Sequence, residues 1–233
     1  MREVVNAIFY VLRGGISWRM LPLDFPHWKT VYHYFREWRI SGLWKKIHDS
    51  LRARLREKAG RHRQPSAAIL DSQSVKAADT AARDRGYDAG KKITGRKRHI
   101  LVDTLGLLLV VVVHSAATQD WDGARDLFKR MKGRFSRLRQ VWADSAYGKN
   151  ALPDWLWDFR ERGKLLLEVV KRPGDKKGFS VLPKRWIVER TFGWLMKQRR
   201  LVRDYEYLPE TSETFIYLAM TRLMLTRLSR TSS

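Results

Sequence analysis

Apolar residues in the first sixty positions recur with the 3.6-residue period of amphipathic helices. This spacing predicts three helices, at residues 3–13, from 28 to near 42, and from 43 to about 58. Glycine and proline turns separate the three segments, as expected where helices end. We therefore predict a small helical module over residues 1–60, followed by a polar linker at 61–66.

The polar faces of these helices are strongly basic. The third helix is expected to bury Trp44, Ile47, Leu51 and Leu55 and to expose Lys45, Lys46, Arg52, Arg54 and Arg56. The module can be interpreted as a helix-turn-helix that places basic side chains of the second helix in a major groove, namely Lys29, His33, Arg36 and Arg39. It can equally be a packing module with a solvated basic face, and both interpretations stay open.

From residue 67 onwards the pattern changes to short apolar runs that alternate with helices. Strands are predicted at 68–70, 99–102, 107–113, 139–143 and 165–170, and helices at 120–132, 152–162, 185–197 and 211–228. This order indicates an α/β fold, a mixed sheet flanked by helices, assigned to a second domain at residues 67–233. A right-handed crossover would set the strand that ends before Asp144 parallel to its neighbour in the sheet.

The net charge of the chain indicates a polyanionic partner. There are 47 lysine and arginine residues against 24 aspartate and glutamate residues, which gives a formal charge of +23. Such a surface attracts polyanions, so nucleic acid is the expected partner. Because no stretch approaches the roughly 18 apolar residues of a membrane span, and no signal peptide precedes the first helix, we expect a cytoplasmic, nucleoid-associated protein with no membrane partner.

Two aspartates follow apolar strands directly, and each precedes a serine: Asp71 and Asp144. If their strands are parallel neighbours, both carboxylates lie at one edge of the sheet. Two carboxylates that close share a proton or bind a cation, and beside a phosphate substrate magnesium fits best. Cysteine is absent, so a metal must be held by oxygen or imidazole.

Taken singly, an aspartate after a strand is more often a turn former or a helix cap, and only the matched pair favours a metal site. We interpret Asp120 as a helix cap and Asp103 as a turn residue. In the last third of the chain, Arg185 lies one helical turn before Glu189, a spacing that also occurs in any salt-bridged helix.

Four segments together resemble a known family. They are Asp-Ser-Gln-Ser-Val-Lys at 71–76, Gly-Arg-Lys-Arg-His at 95–99, Ala-Asp-Ser-Ala-Tyr at 143–147, and the helical segment at 185–200. In this order they are similar to the RNase H-like DDE transposases of bacterial insertion sequences, especially the insertion sequence 5 group. The resemblance spans nearly the whole chain.

This resemblance implies an RNase H-like fold and a metal-binding catalytic triad of Asp71, Asp144 and Glu189. The expected cofactor is Mg²⁺ or Mn²⁺, and the expected partner is double-stranded DNA at the element ends and the target. We also expect a homodimer on DNA. The chemistry would be two-metal phosphodiester hydrolysis followed by transfer of the freed 3′-hydroxyl to target DNA.

Relatives in the wider branch carry a Tyr, Arg, Glu, Lys signature. This chain matches it at Arg185 and Glu189 but has Leu182 and Met196 at the outer places, with Lys197 one residue late. The candidate phosphate contacts are Lys76, Lys97, Arg98, Arg185 and Lys197. Generic surface charge is the alternative for each of them, and we favour a functional role only for Arg185.

Two other functions remain open on the sequence. An RNase H-like nuclease would share the triad but would hydrolyse DNA without strand transfer. A catalytically inactive DNA-binding derivative would keep the basic surface alone, although the intact triad argues against it.

Overall fold

The computed structural model describes residues 1–78, 83–159, 165–170 and 184–230. Within these ranges the helices are α1 (Arg2–Gly14), α2 (Trp28–Ile40), α3 (Leu43–Lys58), α4 (Asp120–Met131), α5 (Leu152–Phe159), α6 (Arg185–Met196), α7 (Arg199–Val202) and α8 (Pro209–Ser229). The strands are β1 (Ala67–Lys76), β2 (Gly86–Asp88), β3 (Ile93–Asp103), β4 (Leu108–Ser115), β5 (Gln140–Ala143) and β6 (Leu166–Val169).

The strands form one mixed sheet in which β1 is central. Strand β3 pairs antiparallel with β1 on one side, and β5 pairs parallel with it on the other, as the crossover rule predicts. Strand β6 continues the sheet beyond β5, while β2 and β4 both pair with β3. The predicted class, an RNase H-like mixed sheet flanked by helices with a helical amino-terminal part, is confirmed.

The two faces of the sheet carry separate hydrophobic clusters, because side chains alternate along each strand. Ile69 and Trp142 belong to the face covered by α1, α2, α3, α6 and α8. Leu70 and Ala143 belong to the opposite face, covered by α4 and α5. The alternation therefore sends Asp71 and Asp144 to the α6 face, and Ser72 to the α4 face.

Helix α8 lies at the centre of the first face and joins the amino-terminal helices to the sheet. From Ser212 to Thr221 it is buried on every side, as expected for an interior helix. The ring of Phe215 stacks on that of Phe35 in α2 with centroids 5.0 Å apart, and Trp18 packs against Phe35 at the same distance. The helical part and the sheet thus share one core, and the predicted domain boundaries at 60 and 67 stay a prediction.

Two expectations for basic residues in α3 are wrong. Arg52 and Arg56 are buried, not exposed. Arg56 donates to the carboxylate of Asp103, which also accepts from the main-chain nitrogens of Leu105 and Leu107 at 2.9 Å. Asp103 is therefore the turn residue predicted from the sequence, and it is in addition the buried partner of an arginine from the helical module.

Strand β1 does not stop at Asp71 as predicted, but continues to Lys76 because β3 pairs with it throughout. Strand β3 likewise begins at Ile93, well before the predicted start, and β2 is not predicted at all. In the described part of the chain, no helix combines the length and the apolar composition that crossing a membrane requires.

Candidate active site

Asp71 and Asp144 occupy equivalent positions on neighbouring parallel strands. Ile69 is the register partner of Trp142, and each aspartate lies two residues further along its own strand direction. Strand β5 ends at Ala143, and among the described residues β1 has no parallel partner beyond Ile69, so this part of the structure leaves the edge open where Asp71 lies. The structure therefore places the two carboxylates at one edge of the sheet, as predicted.

In each of these carboxylates, one oxygen accepts a main-chain hydrogen bond and the other oxygen faces the site. The main-chain nitrogen of Ser72 donates to Asp71 Oδ1 at 2.7 Å, and that of Ala146 donates to Asp144 Oδ1 at 2.9 Å. The two Oδ2 atoms point to a common centre, where Arg185 Nη2 lies 3.7 Å from that of Asp71 and 3.6 Å from that of Asp144. One oxygen of each aspartate therefore lies near the same guanidinium nitrogen.

Glu189 completes the group from helix α6. Its Oε1 lies 3.9 Å from the same Nη2 of Arg185, one helical turn away. The Glu189 side chain is 53% exposed, whereas Arg185 is mostly covered. The structure therefore brings together all three carboxylates of the predicted triad, and it places the predicted phosphate ligand Arg185 between them.

The electrostatics of this group favour a bound cation. Burial raises the pKa of Asp71 to about 6, and the nearby charge of Asp144 raises it as well. The Ser72 amide and the positive charges of Arg185 and Lys91 act in the opposite direction. Ionising Asp71 beside Asp144 is therefore costly. A divalent cation would offset that cost more than the single charge of a guanidinium does.

The donor set fits a hard divalent ion, since all available ligand atoms are carboxylate oxygens. In the described residues, however, no three acidic or histidine side chains stand ready around an ion, because the guanidinium of Arg185 fills the space between them. Binding of a divalent cation would require Arg185 to move outward.

A second polar cluster lies on the opposite face of the sheet, directly behind Asp71. Ser72 Oγ donates to Asp120 Oδ1 at 2.9 Å, and Lys97 Nζ and His99 Nε2 lie 3.3 Å and 3.4 Å from the same oxygen. His99 Nδ1 in turn lies 2.8 Å from His114 Nε2. Sequence reasoning missed this cluster, since its members come from four separate elements.

The interpretation of Asp120 as a helix cap is wrong. Helix α4 begins at Asp120 itself, with Gln119 in the capping position and no capping hydrogen bond from a side chain. The carboxylate of Asp120 turns to Ser72 instead, and these contacts hold its pKa well below the usual range despite its burial. The serine that follows Asp71 was the signal available in the sequence.

The remaining predicted DNA contacts are not gathered around the triad. Arg98 is fully buried and donates to the main-chain oxygen of Leu201 at 2.7 Å, so in this conformation its guanidinium does not face solvent. Lys97 is buried too, and donates to the Thr118 oxygen at 2.8 Å. Lys76 and Lys197 are exposed at the ends of β1 and α6.

One lysine that the sequence analysis did not single out lies close to the triad. Lys91, in the turn between β2 and β3, is exposed and places Nζ 3.5 Å from the main-chain oxygen of Ser72. Its main-chain nitrogen donates to Asp88, whose carboxylate also accepts from Ser74 in β1. This folds the turn back over the central strand, which no local sequence pattern predicts.

Both the amino-terminal part and the larger remainder of the chain are similar to transposase families. The family model for the transposase DDE domain matches residues 62–224, and a second model, for inferred transposases of the IS4/5 family, matches residues 1–48. A protein of Burkholderia cepacia, "Insertion element IS402 uncharacterized 16.2 kDa protein", is 33% identical over 78 residues. That match covers 33% of this chain and about half of the relative, 52% of its length. The DDE model alone covers more than half of the sequence, and the chain belongs to the family of transposases with a DDE domain.

Proposed function

We propose that this protein catalyses metal-dependent phosphodiester hydrolysis and strand transfer at the ends of an insertion sequence. The observation that carries the proposal is the convergence of Asp71, Asp144 and Glu189 on one guanidinium nitrogen, all within 4 Å. Carboxylates from two strands and a helix then form one oxygen-lined site in a chain whose formal charge is +23. That combination suits a phosphodiester substrate.

Asp71, Asp144 and Glu189 are the proposed ligands of magnesium or manganese. Divalent ions held there would activate the attacking oxygen and stabilise the leaving oxygen of an in-line displacement. The chain's own contribution is to fix the ligands: the amides of Ser72 and Ala146 hold Oδ1 of each aspartate, which leaves Oδ2 free to bind. Ligands fixed in this way need little reorganisation when the site is filled.

Arg185 is the proposed phosphate contact. Its guanidinium offsets one of the three carboxylate charges, and it would turn towards the scissile phosphate when divalent ions take that place. Arginine suits this role because its planar donors match two oxygens of a phosphate. The side chain is anchored on the same helix as Glu189, so both groups move with α6.

Double-stranded DNA is the proposed partner, and we propose that the protein binds it as a homodimer. Lysine and arginine outnumber acidic residues by about two to one, so affinity should fall steeply with salt, with a slope of about −0.9 per phosphate neutralised. A filter-binding titration measures this slope. Binding that does not change between low and high salt would contradict the proposed partner.

The triad is tested with Asp71→Asn, Asp144→Asn and Glu189→Gln, each of which removes a ligand charge and nearly preserves shape. The substrate is a labelled duplex carrying the terminal sequence of the DNA that flanks the coding sequence. We expect nicking in magnesium to stop in all three variants while DNA binding in EDTA persists. Asp154→Asn is the control, since Asp154 lies exposed on α5. A triad variant that cleaves at the parent's rate would remove that residue from the proposal.

The same substrate separates the competing functions. A transposase joins the freed 3′-hydroxyl to an added target duplex, which gives a labelled product of higher mass. A nuclease without strand transfer gives the nicked product alone. A catalytically inactive DNA-binding derivative binds the duplex and gives neither product in magnesium or manganese.

A further inference from the structure

The cluster behind Asp71 is joined to the site by Ser72. Its main-chain nitrogen donates to Asp71 Oδ1 at 2.7 Å on one face of the sheet. Its hydroxyl donates to Asp120 Oδ1 at 2.9 Å on the other face. Ser72 is therefore hydrogen-bonded on both sides, with the proposed metal ligand on one side and an anchored carboxylate on the other.

Asp120 is itself held firmly. The ammonium group of Lys97 lies 3.3 Å away and the imidazole of His99 lies 3.4 Å away. Lys97 is fixed in turn by the Thr118 oxygen, and a second carboxylate, that of Asp88, lies 3.7 Å from it. Rotation of the Asp120 carboxylate would therefore break both its hydrogen bond with Ser72 and its ion pair with Lys97.

The ring of His99 closes the cluster from inside the sheet. It is buried between His114, at 2.8 Å, and helix α4, where Gly123 leaves room for it. Burial lowers the pKa of both histidines, so both rings are neutral at neutral pH. With both rings neutral, the cluster holds one positive charge, on Lys97, between the carboxylates of Asp120 and Asp88.

We infer that Asp120, acting through the Ser72 hydroxyl, is a positioning residue that keeps Asp71 Oδ2 directed into the metal site. Fixing Ser72 fixes its amide, and that amide selects which oxygen of Asp71 remains free. Groups that orient a metal ligand in this way commonly change metal affinity or activity about tenfold or more when removed. The inference rests on the proposed function, because it assumes that Asp71 binds a divalent ion.

The test uses Ser72→Ala, Ser72→Thr and Asp120→Asn in the full chain. The first readout is manganese binding without DNA, followed at pH 8 by electron paramagnetic resonance of the free ion. We expect about tenfold weaker binding in Ser72→Ala and in Asp120→Asn, and near-parental binding in Ser72→Thr, which keeps the hydroxyl. DNA binding in EDTA should be unchanged in all three.

Asp122→Asn is the matched control. Asp122 also lies in the first turn of α4, but it is half exposed and faces Arg125. It shares any effect of an acidic residue on the helix terminus, and it lacks the contact with Ser72. We expect it to bind manganese as the parent does.

The double variant Ser72→Ala/Asp120→Asn distinguishes positioning from a general loss of stability. If both residues act along one path, the double variant binds manganese no more weakly than either single variant. Independent destabilisation would instead give multiplied losses. Binding is expressed per folded molecule, with the folded fraction taken from circular dichroism.

Parental manganese affinity in folded Ser72→Ala would overturn the inference, as would an equal loss in Asp122→Asn. Neither result affects the triad, which stands as long as the parent binds manganese and nicks DNA. If the parent itself does neither, the proposed function fails, and the inference fails with it.

Discussion

The guanidinium of Arg185 lies against the carboxylate of Asp71, with Nη2 3.7 Å from Oδ2. This contact places a positive charge where the proposed function requires a divalent ion. Two cations cannot share that position, so the arginine and the metal compete for the same oxygens. The position of one side chain therefore links metal binding to the binding of phosphate.

Replacing the arginine tests this competition. Arg185→Gln should bind manganese up to about thirtyfold more tightly without DNA, since a unit charge about 4 Å from a divalent ion opposes it by about 2 kcal/mol even in water. It should also cleave DNA more slowly, because the phosphate contact is lost. Manganese titration at pH 8, above the pKa of Asp71 near 6, keeps that ligand ionised in both proteins.

The control is Arg203→Gln, which removes an exposed arginine beyond the end of α7. It should bind manganese as the parent does. Unchanged manganese affinity in Arg185→Gln would mean that the guanidinium does not lie between the carboxylates in solution.

Gly123 in α4 should resist substitution. A Cβ built there would lie 2.2 Å from Cε1 of His99, a ring already held by His114 and Asp120. Gly123→Ala should therefore lower the free energy of unfolding by about 1–3 kcal/mol through overpacking. Urea unfolding followed by circular dichroism measures the change.

Gly193 in α6 provides the comparison, since a Cβ added there would meet no side chain of the described part of the chain within 4 Å. Gly193→Ala should raise the free energy of unfolding by about 0.4–1 kcal/mol, because alanine is the better helix former and restricts the unfolded chain. Equal effects at the two glycines would show that the ring of His99 moves aside freely.

His48 should make the fold sensitive to acid. It is buried in α3 against the ring of Tyr217, and burial lowers its pKa from about 6.5 to about 4. The neutral form is favoured in the folded state, so the stability it contributes is complete above pH 6.5. That contribution is lost as the pH falls towards 4.

Urea midpoints at pH 7.5 and pH 5 measure this loss. His48→Gln should show a smaller fall between the two pH values than the parent, although His99 and His114, whose pKa values are also lowered, keep part of it. His33→Gln, at an exposed position of α2, should keep the parent's full pH dependence. The same slope in His48→Gln and the parent would contradict the assignment.

Lys91 should contribute more to DNA cleavage than Lys197. Its Nζ lies beside the residue that follows Asp71, whereas Lys197 lies about 12 Å along the helix axis beyond Glu189. Loss of a charged hydrogen bond to phosphate corresponds to about tenfold in rate. We expect that loss in Lys91→Ala, a smaller one in Lys197→Ala, and recovery in Lys91→Arg, all measured as single-turnover nicking. A larger loss in Lys197→Ala would restore the lysine predicted from the sequence.

The sequence predicts the two aspartates at the strand ends well, but it does not predict the residues that surround them, and the reason is physical. Asp71 and Asp144 follow apolar runs, and the crossover rule alone makes their strands parallel neighbours. By contrast, the partners of Asp120 are brought together by sheet register and by the packing of α4, which depend on contacts far apart in the chain. Leu182, one outer position of the family signature, lies outside the described residues.

The burial of arginine side chains is the second feature that the sequence does not predict. Arg52, Arg56 and Arg98 look like surface charge in a basic sequence, because a periodic pattern marks polar residues as exposed. Their burial depends on acceptors in other elements, such as Asp103 for Arg56. Only the fold reveals which cations are paired inside and which remain for DNA.

The stack of Trp18, Phe35 and Phe215 has a consequence for where DNA is cut. It joins the amino-terminal helices to α8, and α8 packs on the sheet that carries Asp71. If those helices bind DNA, the bound segment would lie at a fixed number of base pairs from the carboxylates, because the helices and the sheet share one core. The protein itself would then set the distance between the bound sequence and the cleavage point. Inserting base pairs between the two would therefore shift the cut along the DNA, because the distance within the protein would not change.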